Sequence, residues 1–153
     1  FVETPQNFSK AYLAGIEFIS AIKIFDWWQI NGAYSYFDSK VLDTSFEGDA
    51  MKDQVKWTAK LITDINLWSS SNIQLIANYL GPEPSSTNYE DKIFFLDAGI
   101  TQSIYDFGEI SLRISDLFDS LRKIKNTKSG LTTSREVENT TGRIITLTTT
   151  WKF

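Results

Sequence analysis

The chain of 153 residues contains no cysteine and no histidine. These absences exclude disulfide frameworks, Cys/His zinc sites, thiol nucleophiles and histidine-based catalytic triads within this chain. The charge is also modest, since 15 Lys and Arg face 19 Asp and Glu. A nucleic-acid partner would require a strongly positive surface that this composition lacks. We therefore expect no enzyme activity, no cofactor and no binding of nucleic acid.

Long apolar runs are missing as well. No run reaches the roughly 18 residues that a membrane-spanning helix needs, and the first residues lack the pattern of a secretory signal peptide. The sequence begins at Phe1 rather than at a methionine. We therefore expect a processed product or a fragment of a longer protein.

Aromatic residues are plentiful, with 5 Trp, 6 Tyr and 11 Phe, and many of them alternate with polar residues. Between residues 28 and 36, one face carries Trp28, Ile30, Tyr34 and Tyr36. This period of two is typical of a strand with one apolar and one polar face. The same pattern, with turn-forming residues between the runs, predicts strands at about 8–24, 28–38, 55–67, 72–80, 93–103, 109–116 and 142–153.

Two segments are ambiguous. The apolar residues between 55 and 68 also fit a helical stripe, but β-branched and aromatic residues dominate there and favour a strand. The segment from Asp116 to Ile124 fits a loop and a short capped helix equally well.

The connections between the strands alternate in length. Short connections are expected near 24–27, 68–71 and 104–108, and long polar ones at 38–54, 81–92 and 117–141. Short turns at one end and long loops at the other are typical of a transmembrane barrel. We therefore predict an all-β fold, an antiparallel up-and-down meander of about seven strands that forms part of a transmembrane β-barrel.

The more apolar face of the second to seventh predicted strands carries no charged residue. A soluble barrel would turn this face inward, whereas an outer-membrane barrel would turn it toward lipid. Aromatic residues near both ends of the apolar band resemble the two girdles of a membrane interface and favour the second alternative. We expect Trp28, Trp151 and Phe153 near the short turns, and Tyr34, Tyr36, Tyr79 and Phe94 near the long loops.

The opposite face carries the candidate ligand-binding residues. They are Lys60, Asp64, Asp97 and Arg113, together with Tyr89 in the connection 81–92. The alternative for each charged residue is solvation in a lumen or an ion pair across the barrel wall. The acidic residues Asp43, Glu47, Asp49 and Asp53 match no recognised calcium loop, so we predict a solvated acidic loop and no metal site.

The last strand resembles the C-terminal signal that the barrel-assembly machinery reads in bacterial outer-membrane proteins. The residues that carry this resemblance are Ile145, Leu147, Trp151 and the terminal Phe153, all on one face. Thr149 is a weaker match, because an apolar residue is usual there.

Nearly the whole chain resembles the C-terminal barrel region of TonB-dependent receptors, particularly the type common in Bacteroidetes. The resemblance lies in the order and spacing of four segments: Gly15-Ile-Glu-Phe18, the strand that begins at Asp26-Trp27-Trp28, Leu96-Asp-Ala-Gly-Ile100 and Ile114-Ser-Asp-Leu-Phe-Asp119. Asp119 stands where the family usually has Asn. The resemblance implies that residues 1–153 are the C-terminal portion of a barrel whose plug domain and earlier strands lie upstream. The odd number of strands agrees with this, because a complete bacterial barrel has an even number.

The family function is energised import of a scarce nutrient, such as an iron chelate, cobalamin, a peptide or a glycan. The resemblance implies four partners: outer-membrane lipid, the barrel-assembly machinery, the TonB complex acting through the plug domain, and a surface lipoprotein. Two alternatives remain. One is another outer-membrane barrel, either a passive channel or an assembly factor, and the other is a soluble lipocalin-like binding barrel.

Overall fold

A computed structural model describes residues 10–42, 52–68, 70–84, 88–129, 132–139 and 142–152. These ranges contain eleven strands and one short 3-10 turn at Tyr105–Phe107. The strands are β1 (Lys10–Phe25), β2 (Trp28–Leu42), β3 (Lys52–Leu67), β4 (Ser71–Leu80), β5 (Glu83–Pro84), β6 (Asn88–Glu90), β7 (Ile93–Ile104), β8 (Gly108–Ser115), β9 (Arg122–Ser129), β10 (Thr132–Asn139) and β11 (Ile144–Trp151). Within the described ranges, no helix is long and apolar enough to cross a membrane.

Seven strands form one antiparallel sheet, which we call the wall. Its order is β1-β2-β3-β4-β7-β8-β11, so each strand pairs with the next wall strand along the chain. This confirms the predicted meander of seven strands. It also settles the ambiguous segment 55–68, because residues 55–67 belong to strand β3.

The pairing register keeps the two faces of the wall chemically distinct. Residues directly opposite one another in a sheet point to the same side, and one such row is apolar across six strands. It runs through Trp28, Ile65, Ile73, Ile100, Leu112 and Leu147. The neighbouring row is polar or small throughout, and runs through Gln29, Asp64, Gln74, Gly99, Arg113 and Thr146.

The wall is a single layer without a core of its own. Among the described residues, Ile93 is the one buried hydrophobic side chain, and Ile16, Phe18 and Leu147 on the apolar face are largely exposed. The edge strands β1 and β11 are not paired with each other. None of the described segments covers this apolar face, and exposed apolar area of this extent is unfavourable in water.

Four further strands form a second antiparallel sheet, which we call the loop sheet. Its order is β10-β9-β6-β5, and it brings together the connection after β4 and the connection after β8. The sequence predicts polar loops at 81–92 and 117–141, and the structure corrects this. Strands are present there because β6 pairs with β9, with Glu90 opposite Lys125.

The segment from Asp116 to Ile124 is neither a helix nor a simple loop. Asp116 and Asp119 both have a positive φ, of 50° and 53°, which is incompatible with a right-handed helix. The segment is a tight turn through residue 121, and strand β9 begins at Arg122. We call residues 116–121 the Asp116 turn.

Candidate functional site on the polar face of the wall

The four charged candidates lie on the same face of the wall, but they do not converge on one point. Lys60 and Asp64 lie on β3, Asp97 on β7 and Arg113 on β8. Asp64 and Arg113 belong to the same cross-strand row. Three strand spacings separate them, which is about 14 Å. The structure therefore brings Asp97 and Arg113 together and leaves Lys60 and Asp64 apart from them.

Asp97 is fully engaged by neighbouring groups. Its Oδ2 lies 3.1 Å from the Arg113 guanidinium, and its Oδ1 accepts a 2.9 Å hydrogen bond from the main-chain N–H of Asp116. The Asp97 side chain is 13% exposed, whereas that of Arg113 is 57% exposed. Asp97 thus ties β7 both to β8 and to the Asp116 turn, and Arg113 is the partner that remains accessible.

The other two charged candidates have different surroundings. Asp64 accepts a 2.8 Å hydrogen bond from the side-chain amide of Gln74 on the adjacent strand. Lys60 has an exposed side chain and lies between Ala33 and Asn78 in its cross-strand row. These surroundings are typical of a solvated polar surface with hydrogen bonds between side chains of adjacent strands.

A shallow pocket of about 200 Å³ lies on this face, between β4, β7 and β8. Gly99 stands at its centre and leaves open space between Gln74 and Arg113, since its nearest neighbour for an added Cβ is the Leu112 main-chain oxygen at 3.8 Å. The polar lining residues are Asn72, Gln74, Asp97, Thr101, Ser111 and Arg113. Thr101 and Ser111 are hydrogen-bonded to each other at 2.9 Å. The pocket offers amides, hydroxyls and one ion pair, a set suited to hydrogen bonding with a neutral polar solute.

The sequence prediction missed Gln74, Thr101 and Ser111 as lining residues. The signal was available, because each lies at an alternate position of a predicted strand on the same face as Asp97 or Arg113. On the wall, the sequence prediction included charged side chains only and omitted uncharged donors and acceptors.

Tyr89 lies in the loop sheet, apart from the four charged candidates. It is the middle residue of β6, and its main chain pairs with Pro84 and with Asn126. Its side chain lies outside what the structure describes. The structure therefore groups Tyr89 with the strands of the two long connections.

The Asp116 turn is held by a buried carboxylate. Asp116 accepts hydrogen bonds from the main-chain N–H of Ser120 at 2.9 Å and of Leu121 at 2.8 Å. Ser120 Oγ lies 2.7 Å from the Phe94 carbonyl oxygen and 3.0 Å from Asp116 Oδ1, so its one proton serves either acceptor. Burial raises the pKa of Asp116, but these hydrogen bonds and the charge of Arg143 outweigh it and leave the pKa below its ordinary value.

Aromatic rings gather at both ends of the wall. At the short-turn end, Trp27 stacks on Phe25 with ring centroids 5.4 Å apart and on Trp28 at 6.0 Å. At the long-connection end, Trp57 stacks on Tyr79 at 4.3 Å, and the Tyr34 ring lies 6.2 Å from it.

These two aromatic groups confirm the predicted placement of rings at both ends. The rows of Trp28 and Trp57 are eight residues apart along β3, which is about 26 Å along the strand, or about 20 Å along a barrel axis at the usual tilt. That separation approaches the height of the apolar band of a membrane barrel, about 25 Å.

Comparison with known families decides between a membrane and a soluble environment. A model of the outer membrane protein beta-barrel family matches residues 1–151. The chain belongs to this family. No curated protein and no solved structure matches it. As a member of the outer membrane protein beta-barrel family, the chain resides in the bacterial outer membrane, and the soluble lipocalin-like alternative is wrong.

Family membership assigns the two faces of the wall. In such barrels the apolar face meets lipid and the polar face lines the lumen. Lys60, Asp64, Asp97, Arg113 and the pocket around Gly99 are therefore lumen groups. By the same rule, the short turns lie on the periplasmic side and the loop sheet on the extracellular side.

The predicted assembly residues lie on β11, an edge strand of the wall. Ile145, Leu147 and Trp151 are exposed on its lipid face. They lie opposite residues 114, 112 and 108 of β8. Phe153 lies outside the described residues. The recognition of this strand by the assembly machinery stays a prediction.

The acidic residues Asp43, Glu47 and Asp49 also lie outside the described residues. Asp53 belongs to β3, but its side chain is not described. In the part of the chain that the structure describes, no three carboxylates gather in a way that could hold a metal ion.

Proposed function

We propose that this chain supplies wall and extracellular surface to a TonB-dependent receptor that imports a scarce nutrient. The observation that carries the proposal is the open wall. Seven strands form a single sheet whose edge strands β1 and β11 do not pair with each other. Unpaired strand edges are not tolerated in hydrocarbon, because their N–H and C=O groups find no partner there.

Further strands are needed to complete the barrel, and the proposal takes the completed barrel to be a large one. The largest outer-membrane transporters enclose a lumen wide enough for a plug domain. The proposal adds such a plug, moved by the TonB complex, and a surface lipoprotein as a further partner. The cargo classes that it implies are iron chelates, cobalamin, peptides and glycans.

The loop sheet supports a receptor role. Two of the long connections pair into four strands instead of remaining independent loops. Such a surface can present fixed side chains to a ligand outside the membrane. Below it, the lumen groups Lys60, Asp64, Asp97 and Arg113 would line the path of the cargo. We propose that the chain has no catalytic role.

The first experiment is to measure the intact mass of the native polypeptide that carries this sequence, extracted from the outer membrane. A receptor requires a mass several times the 17.5 kDa of this chain, with room for a plug and the remaining strands. A mass near 17.5 kDa would contradict the proposal, because such a chain would have no room for a plug.

A second experiment tests energised import. A strain that lacks the protein is grown with each cargo class as the limiting nutrient, beside a strain depleted of TonB. Loss of growth on the same nutrient in both strains is expected. A defect confined to the first strain would instead indicate a passive channel, and loss of several unrelated outer-membrane proteins would indicate an assembly factor.

A further inference from the structure

Two carboxylates beside the pocket around Gly99 are engaged by its lining groups. Asp64 accepts a 2.8 Å hydrogen bond from the side-chain amide of Gln74, and Asp97 lies 3.1 Å from the Arg113 guanidinium. Each carboxylate therefore holds a side chain of the neighbouring strand. The groups that remain to contact a ligand are Gln74 and Arg113, rather than the two acidic residues.

The orientation of the Gln74 amide follows from its partner. An ionised carboxylate only accepts hydrogen bonds, so the NH₂ group of Gln74 points toward Asp64 on β3. The carbonyl oxygen of the same amide therefore faces away from β3, on the side of β4 where β7 lies. Asn72 on β4 donates in the same way to Asn66 on β3, at 3.0 Å. Both amides thus offer acceptor oxygens to the pocket.

Donors face these acceptors from the other side of β7. The Arg113 guanidinium carries five N–H donors; Asp97 contacts its Nη2, and the Arg113 side chain is 57% exposed. Gly99 lies between Gln74 and Arg113 in one cross-strand row and contributes no side chain. The strands on either side of β7 are about 10 Å apart. This leaves room for one polar ring with a hydrogen bond at each edge.

The charge of the pocket disfavours an anionic ligand. Asp97 already neutralises Arg113, and its other carboxylate oxygen accepts a 2.9 Å hydrogen bond from the main-chain N–H of Asp116. A carboxylate or phosphate on the ligand would meet the Asp97 charge beside the guanidinium and be repelled by it. An anionic chelate therefore fits this pocket poorly, and a neutral ligand fits it well.

The main chain around the pocket is already paired. Strand β4 pairs with β3 and β7, and β8 pairs with β7 and β11. A peptide that binds as an added strand needs an open sheet edge, and β4, β7 and β8 offer none. Recognition therefore relies on side-chain amides, the guanidinium and the hydroxyls of Thr101 and Ser111. These groups are suited to a ligand that is rich in hydroxyls.

We propose that the pocket around Gly99 binds a neutral hexose unit of a glycan. The carbonyl oxygens of Asn72 and Gln74 accept hydrogen bonds from ring hydroxyls, and Arg113 donates to them. The volume of about 200 Å³ lies below the roughly 300–1,000 Å³ of pockets for drug-sized ligands, which suits a single ring. The inference rests on the proposed import function and selects the glycan among its cargo classes.

Binding at this pocket is expected to be weak. None of the described lining residues carries an aromatic ring, so a sugar ring has no surface to stack on. Weak binding agrees with a position on a transport path, because a cargo that enters must also leave.

The test uses the full-length protein in phospholipid nanodiscs. Methyl glucoside, methyl galactoside and methyl mannoside are separate probes, and saturation-transfer NMR measures their binding. Gly99→Val fills the pocket, and Gln74→Met removes an acceptor with little change in size. Each variant should weaken binding of the best probe by about tenfold. Asn78→Leu is the matched control, because Asn78 lies on the same face of β4 outside the pocket, and its affinity should equal that of the parent.

Two results of this measurement would overturn the proposal. One is that none of the three hexosides binds the parent protein. The other is that the parent and both pocket variants bind the hexoside equally.

Two further probes test the ligand class. The uronic acid form of the best hexoside adds a carboxylate to the same ring and should bind about tenfold more weakly. Tri-alanine should not compete with the hexoside. Tighter binding of the uronic acid, or competition by tri-alanine, would refute the assignment to a neutral sugar.

Asp64→Asn tests whether the carboxylate orients Gln74. An amide at this position both donates and accepts, so it no longer holds the Gln74 amide in one orientation. Hexoside affinity should fall severalfold while the urea midpoint stays that of the parent. Unchanged affinity would refute the orienting role.

Failure of the pocket and failure of the import function give different results. Equal hexoside binding by the parent and the pocket variants, with TonB-dependent growth on a glycan intact, would overturn the pocket alone. Pocket-dependent binding in a protein whose loss impairs growth on no glycan would overturn the import function alone.

Discussion

The wall and the loop sheet are both antiparallel, yet they use side chains in opposite ways. On the lipid face of the wall, apolar residues lie opposite apolar residues, as in the row from Trp28 to Leu147. In the loop sheet, Lys125 lies between Glu90 and Glu136, and Lys123 lies opposite Glu138. Antiparallel pairing therefore places apolar side chains opposite one another on the lipid face of the wall, and opposite charges opposite one another in the loop sheet.

The difference follows from what covers each sheet. Lipid covers one face of the wall, so a charge there would lose its hydration without gaining a partner. Water surrounds the exposed strands of the loop sheet, where cross-strand charge pairs add a modest stabilisation. The lipid face of the wall can therefore tolerate little change in polarity, and loop-sheet strands can tolerate much more.

The largest effect is expected at the start of β8, where the main chain of β11 leaves no room for a Cβ atom. Gly108 has φ 143°, and an added Cβ would collide with the main chain of Thr150 on β11. Gly108→Ala should destabilise the protein by about 4 kcal/mol or more, because strain and a main-chain clash combine. Urea unfolding in vesicles and the folded fraction on unheated gels measure this.

Gly99→Ala is the matched control for that change. It lies on the neighbouring wall strand, where an added Cβ would make ordinary contact with Leu112 O at 3.8 Å. Its stability should stay within about 0.5 kcal/mol of the parent. Equal effects at the two glycines would show that β8 and β11 do not approach as described.

Leu61→Arg tests the lipid face directly. Leu61 lies opposite Gly32 and Ala77 near the middle of the apolar band. A charge there should cost about 2–4 kcal/mol in bilayers. Val137→Arg, on the exposed strand β10 of the loop sheet, should change stability by less than about 0.5 kcal/mol. Equal tolerance at the two positions would remove the distinction between the regions.

The Asp116 turn joins the wall to the loop sheet. Deleting the Asp116 carboxylate should destabilise the loop sheet locally and leave the pairing of the wall strands intact. Asp116→Ala deletes the acceptor of the Ser120 and Leu121 N–H bonds and should cost about 2 kcal/mol. Hydrogen exchange should speed up in β9 and remain slow in β3. Faster exchange throughout the wall would contradict this.

The stability that the Asp116 turn contributes should fall at acid pH. The pKa of Asp116 is lowered in the fold. The contribution of its carboxylate to folding stability is therefore complete above the ordinary pKa of an aspartate, about 3.9, and is lost as the pH falls through the lowered pKa. Asp116→Asn, which keeps one acceptor oxygen, should remove this acid-dependent part. An unchanged acid profile in Asp116→Asn would assign the dependence to other groups.

The smallest effect concerns the charges of the loop sheet. Lys125→Glu places three acidic residues side by side, with Glu90 and Glu136 as neighbours, and should cost about 1 kcal/mol at low salt. Adding Glu136→Lys should restore part of the loss, and high salt should reduce both effects. If the double variant gains nothing, the cross-strand charges do not interact.

Much of the wall could be predicted from the sequence because its signal is local. Alternation along one strand identifies both the strand and its lipid face, as the segment from Trp28 to Tyr36 illustrates. The seven strands and the aromatic rings at both ends of the band followed from this pattern. The loop sheet carries no such signal. Both faces of β9 and β10 hold polar residues, so their alternation is invisible in a sequence such as Arg122-Lys-Ile-Lys-Asn-Thr-Lys-Ser129.

The candidate site divides in a similar way. The sequence identified Asp97 and Arg113 as lumen charges, and their side of the wall follows from strand parity. It did not reveal that Asp97 also accepts the Asp116 N–H, or that Gly99 opens a pocket between Gln74 and Arg113. Those relations depend on the register between neighbouring strands, which a pattern within one strand does not show.

By itself, the sequence determined that this protein is a β-strand wall with one charge-free face, because side-chain alternation and the exclusion of charge from lipid act residue by residue. The tertiary structure alone decided which strand ends meet and that two long connections pair into a second sheet. These features arise from pairing between distant segments, and their energy comes from neighbours that no local pattern encodes.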